Sequence, residues 1–130
     1  MTAHGPHPLQ GKKILIVEDE ALVALEVEAL LRAAGATVAG PVARVAKALS
    51  LLERERLDAA VLDLNLHGEL PAALAEALSR KNVPFVIVTG YSEYEKPPFH
   101  RAQQLQKPVD AERLISALHS AMSSGDGNGV

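Results

Sequence analysis

Cysteine is absent from the 130 residues, which excludes a disulfide framework, a zinc–thiolate centre and a cysteine nucleophile, and which suits a reducing cytosol. Long apolar runs are missing too. No stretch approaches the roughly 20 residues of a membrane span, and the opening Met1-Thr-Ala-His-Gly-Pro-His-Pro8 lacks the apolar core of a signal peptide. The expectation is a cytoplasmic protein with no membrane partner. Charge of one sign is not in excess: 22% of residues are charged and the formal net charge is -3, so the composition offers no nucleic-acid surface. The five histidines show no zinc-ligand spacing. No glycine-rich turn follows Val17, which removes a dinucleotide-binding enzyme. The length suits one domain with its own core and leaves no room for a second folded module, so any output is expected to come through partners.

What is present is an alternation. Ile14-Leu-Ile-Val17, Ala59-Ala-Val-Leu62 and Phe85-Val-Ile-Val88 are short, continuous and mostly β-branched, as in strands of a parallel sheet covered on both faces. Helical spacing fills the intervals: Ala21 to Ala34 with Gly35 as its stop, Val45 to Arg56, and Leu70 to Arg80. Thr37 to Val42 reads as a further strand, and Gln104 to Gln106 as a last short one. Asp110 is placed to cap a closing helix carrying Leu114, Ile115, Leu118 and Met122. This βαβ pattern predicts an α/β fold over residues 12–122, with loose polar tails at 1–11 and 123–130. Between Thr89 and Lys107 a fourth helix is due, but Pro97-Pro98 interrupts it, so a short or irregular element is expected.

The strand ends carry the chemistry. Each apolar run stops abruptly at a polar residue: Glu18-Asp19, Asp63 and Thr89-Gly90, with Lys107-Pro108 after the last strand. In an open α/β sheet these positions line the crevice where ligands bind. Carboxylates gathered there need a cation or a basic side chain to neutralise them, so the set predicts a metal and phosphate site.

In order and position, Ile14-Leu-Ile-Val-Glu-Asp-Glu20, Val61-Leu-Asp63, Val88-Thr-Gly90 and Gln106-Lys-Pro108 resemble the signature sites of bacterial two-component response-regulator receiver domains. The Thr89-Gly90-Tyr91 run is similar to that of the stand-alone alphaproteobacterial receivers. The resemblance implies a flavodoxin-like, doubly wound sheet of five parallel strands in the order 2-1-3-4-5, flanked by five helices. It implies that Asp63 accepts a phosphoryl group from a sensor histidine kinase, that Glu18, Asp19, Asp63 and the backbone carbonyl of Asn65 hold Mg2+, and that Thr89 and Lys107 bind phosphoryl oxygens. Asn65 and Tyr91, two residues beyond Asp63 and Thr89, fall where the family modulates hydrolysis. A downstream protein target, or a role as phosphate shuttle or sink, is implied, with a monomer or weak homodimer as the assembly. Apart from its own phosphorylation and dephosphorylation, no catalysis is expected.

The chain also departs from the family. Leu64-Asn-Leu-His-Gly68 has no proline after the aspartate, and the spans from Asp63 to Thr89 and from Thr89 to Lys107 are each about four residues short. Gln104 stands where the family has a switch aromatic three residues before the lysine. The expected switch is therefore ordering of the segment 91–104 itself, with Tyr91 or Tyr94 as the alternative, and the surface from Glu93 to His100 is the expected docking region. A phosphorylation-independent pseudo-receiver is the alternative. A phosphatase of the haloacid-dehalogenase type fails because Asn65 occupies the place of its general acid. Glu20 reads as an acid of the first helical turn, His67 as a loop residue, and Gly40-Pro41 as a turn or strand-end feature.

Overall fold

Successive side chains of a strand point to opposite faces, so a strand that is apolar at every position must be covered on both. The computed structural model, which describes residues 7–90, 97–99 and 101–123, meets that requirement. Its elements are β1 (Lys13–Val17), α1 (Ala21–Ala33), β2 (Thr37–Val42), α2 (Val45–Arg54), β3 (Ala59–Asp63), α3 (Ala72–Arg80), β4 (Phe85–Thr89), β5 (Gln104–Gln106) and α4 (Ala111–Ser123). The strands form one parallel sheet in the order β2-β1-β3-β4-β5. Ile14 and Ile16 of β1, Val61 of β3 and Val86 and Val88 of β4 pack with Val27 and Leu31 of α1 and Leu114 and Leu118 of α4. Leu15, Val17, Leu62 and Ile87 face the other way, onto Leu52 of α2 and Leu74 and Leu78 of α3. Burying a Leu, Ile or Val contributes about 1.5–3 kcal/mol relative to exposure, so neither layer is dispensable.

Several boundaries differ from the sequence reading. α3 begins at Ala72 rather than Leu70, because Leu70 precedes Pro71 and is steered away from helix. α2 stops at Arg54, where Glu55 turns extended. The expected N-terminal tail ends before Leu9, whose side chain is fully buried beneath α1 and whose N–H donates to the Ala34 carbonyl at 2.9 Å. Residues 1–6, 91–96, 100 and 124–130 lie outside the described residues, and with them most of both expected tails.

Four helices are present among the described residues, against the five expected; the short or irregular element expected between β4 and β5 falls largely on residues 91–96 and 100, outside the described residues. Between β4 and β5, residues 97–99 form a turn, and the buried Phe99 packs into the layer formed by α2 and α3. Its carbonyl accepts the Ala102 N–H at 3.1 Å and the Gln104 side-chain amide at 3.4 Å. Among the described residues no helix is long and apolar enough to cross a membrane.

The Gly40-Pro41 pair does more than end a strand. β1 and β2 pair as Leu15 with Ala39 and then as Val17 with Val42, so β2 carries one extra residue, a bulge. The shift brings the Val42 carbonyl to the Glu18 N–H at 2.9 Å, which fixes the backbone where the acidic site begins. Gly40 has φ +86, and a Cβ there would meet Val42 N at 2.8 Å and the Ile16 carbonyl at 3.0 Å. Gly40→Ala is therefore expected to cost about 1–3 kcal/mol, seen as a lower urea midpoint. An unchanged midpoint would show that the bulge relaxes freely.

Candidate functional site

β1 and β3 are neighbours in the sheet, so their carboxyl ends place Glu18 and Asp63 side by side. Both residues are buried, at 6% and 4% exposure, as is Thr89 at the end of β4. Lys107 follows β5 directly. Its N–H donates to the Thr89 carbonyl at 2.8 Å, continuing the β4–β5 ladder by one residue and turning its side chain into the crevice. There the ammonium lies 3.1 Å from Glu18 Oε2 and 3.5 Å from Asp63 Oδ2, and it also pairs with Glu20 Oε1.

The loop after β3 is shaped by its own short turn. Leu66 and Glu69 exchange backbone hydrogen bonds of 3.0 and 2.9 Å across His67 and Gly68, both with positive φ, as in a two-residue type I′ turn. Asn65 Oδ1 accepts the Gly68 N–H at 2.9 Å, and buried Leu64 and Leu66 anchor the loop. This closure explains how the loop does without a proline. It also aims two donors at the acids: Asn65 N–H reaches Asp63 Oδ1 at 3.1 Å, and His67 N–H reaches Asp19 Oδ2 at 2.9 Å. The loop placement of His67 agrees with its sequence reading, but its N–H is a partner of the site.

Glu20 corrects its reading as a first-turn acid. It precedes α1 in extended conformation, makes no side-chain cap bond, and spends its carboxylate on Lys107. Carboxylate oxygens of Glu18, Glu20 and Asp63 all lie within 4.8 Å of one another, a group able to hold a metal ion. The expected ligand Asp19 is outside that group; it adjoins the Asp63 carboxyl and is held by the His67 N–H. Nothing in the sequence separates Asp19 from Glu20 as neighbours of Asp63. The signal that could have found Glu20 is the Glu-Asp-Glu run itself, an excess of acid opposite a single lysine. Tyr91, Tyr94 and the docking surface expected from Glu93 to His100 lie outside the described residues, Pro97, Pro98 and Phe99 excepted.

The acids titrate as a crowded set. Burial, and after it the Asp63 carboxyl, pushes Glu18 up to about 7, against the pull of the Glu20 N–H and Lys107. Burial also raises Asp63 above the usual carboxylate range, although the Asn65 N–H, Glu18 and Lys107 pull it down. At Asp19 burial is outweighed by the His67 N–H and the Asp63 carboxyl, so its value falls. Burial opposes the Lys107 ammonium, yet hydrogen bonds to Glu20 and Glu18 and the charge of Asp63 hold it up at about 12. Hard oxygen donors in this number suit Mg2+, which supplies the positive charge the set lacks.

A raised carboxyl pKa contributes stability below the unfolded value that is lost as pH rises through the folded one. For Glu18 that window runs from its ordinary 4.5 to about 7. With EDTA present, Tm is expected to fall by several degrees between about pH 5 and about pH 8. Glu18→Gln should flatten the slope, and Mg2+ should restore Tm at the upper end. A metal-free melt that rises with pH would contradict this.

The sequence and this geometry match known proteins. Residues 14–119 fit the family model of the response regulator receiver domain. Transcriptional regulatory protein PdtaR of Mycobacterium tuberculosis is 28% identical over 119 residues, 86% of this chain but 57% of PdtaR, so the chain spans little more than half of that relative. The solution structure of SdrG from Sphingomonas melonis Fr1 is 39% identical, with TM-score 0.76 over 86% of this chain and 96% of SdrG. A receiver domain from Methanospirillum hungatei JF-1, described as CheY-like, is 25% identical with TM-score 0.78, covering 91% of this chain and 98% of that one. With the matched model spanning the sheet and its acidic crevice, the chain belongs to the response-regulator receiver domains of two-component systems.

Proposed function

We propose that Asp63 is the phosphoacceptor of a cytoplasmic response-regulator receiver that takes its phosphoryl group from a phosphohistidine on a sensor histidine kinase. The observation that carries this reading is the buried Asp63 carboxylate with an ammonium 3.5 Å from Oδ2, beside an acidic group able to hold Mg2+. In the transfer, a carboxylate oxygen of Asp63 forms a bond to phosphorus as the P–N bond breaks. The electron pair of that bond stays on the imidazole nitrogen of the donor. Asp63 must be ionised to attack, and Lys107 favours that form. Its ammonium, with the hydroxyl of Thr89, then serves the phosphoryl oxygens, whose charge needs fixed donors already in place. Glu18, Asp63, the carbonyl of Asn65 and a third carboxylate from Asp19 or Glu20 would hold Mg2+, which supplies charge neutralisation when bound. Asn65 and Tyr91, two residues beyond Asp63 and Thr89 in sequence, are the residues proposed to modulate hydrolysis of the acyl phosphate.

No other catalysis is assigned to the protein. It acts by phosphorylation-dependent binding of a downstream target, or as a phosphate shuttle or sink, as a monomer or weak homodimer. One observation favours a second reading, the phosphorylation-independent pseudo-receiver: Gln104 replaces the switch aromatic and its amide is engaged with the Phe99 carbonyl. Intact-mass measurement after incubation with phosphoramidate and Mg2+ separates the two. One added phosphoryl group is expected on the wild type, with none on Asp63→Asn and none in EDTA. No addition from phosphoramidate or from a purified kinase would leave the pseudo-receiver.

A further inference from the structure

An ammonium has three N–H donors, and that of Lys107 spends two of them on Glu18 and Glu20, with Asp63 as a further counter-charge at 3.5 Å. A phosphoryl oxygen on Asp63 can take the remaining donor, but a second bond from Lys107 requires that one of the carboxylates give way. The three do not leave at equal cost. Asp63 carries the phosphoryl group and remains beside the lysine. Glu18 is buried, with its side chain 4% exposed, and losing the ammonium would strip a buried carboxylate of its cation. The Glu20 side chain is 60% exposed and can return to water. Surface pairs of this kind contribute less than about 1 kcal/mol, so the Glu20 contact is the one that yields.

We propose that Glu20 is a positioning residue: it holds the Lys107 ammonium while Asp63 is unphosphorylated and is the partner the ammonium gives up when a phosphoryl oxygen arrives. The inference rests on the phosphoacceptor reading of Asp63. The backbone of Glu20 does not have to move for the exchange. Its N–H donates to Glu18 Oε2 at 3.1 Å and its carbonyl accepts the Ala24 N–H at 2.9 Å, which opens α1, so only the exposed side chain swings. Glu20 thus competes with the phosphoryl oxygens for the lysine and lowers the affinity of the site for them.

The test is the affinity of the full chain for beryllofluoride with Mg2+, a phosphoryl mimic, by amide NMR titration in the wild type, Glu20→Gln and Glu20→Asp. Glutamine removes the charge and keeps the length. Aspartate keeps the charge but draws it back from Lys107 by one methylene. Both are expected to tighten binding by about two- to five-fold, with thermal melts confirming that each variant is folded. Tightening by glutamine alone would assign the effect to bare charge repulsion and overturn the positioning role, as would two variants unchanged or weaker than wild type. A wild type that fails to bind the mimic would instead overturn the phosphoacceptor reading itself.

Discussion

The ammonium of Lys107 is the counter-charge around which the carboxyl end of the sheet is arranged. Parallel strands bring Glu18 and Asp63 together at one edge of the hydrophobic layers, where water cannot screen them fully and burial raises both pKa values. Without a cation, side chains so placed would hold protons instead of charge. The lysine comes from the far end of the chain, and it arrives because β5, though only three residues long, pairs with β4 and hands Lys107 to the Thr89 carbonyl. The sheet therefore serves as the device that joins acids and base across most of the sequence.

Around that ion cluster the backbone supplies much of the remaining order. The β2 bulge fixes the Glu18 N–H on Val42, and the turn at His67 and Gly68 aims the N–H groups of Asn65 and His67 at Asp63 and Asp19. Main-chain donors of this kind are held by the fold itself, so they stabilise carboxylate charge without ordering a long side chain. The result is a division of labour among the acids: Glu18 and Glu20 lie with Lys107, and Asp19 lies with the loop after β3.

The crossover from β4 to β5 shows a different economy. Where a further helix is due, Phe99 contributes a buried side chain to the α2 and α3 layer, and the amide of Gln104 ties its carbonyl to β5. A glutamine in that place joins two backbone segments through a hydrogen bond, whereas an aromatic ring would act by changing the pocket it occupies.

The sequence by itself determined the layer architecture. Apolar runs over both residue parities demand cover on two faces, and the abrupt polar residues after them mark Glu18, Asp63 and Thr89, with Lys107 following the last short strand. The proline pair likewise marked the turn at residues 97–99, because lost donors and restricted φ are local properties. The role of Leu9 was not legible, since one apolar residue in a polar segment has no periodicity to report its burial. Nor was the bulge at Gly40, because a register shift exists only between two strands. Which of Asp19 and Glu20 meets the lysine was decided by the tertiary structure alone. Adjacent residues leaving a strand point in different directions, and their partners, His67 and Lys107, lie 48 and 87 residues away.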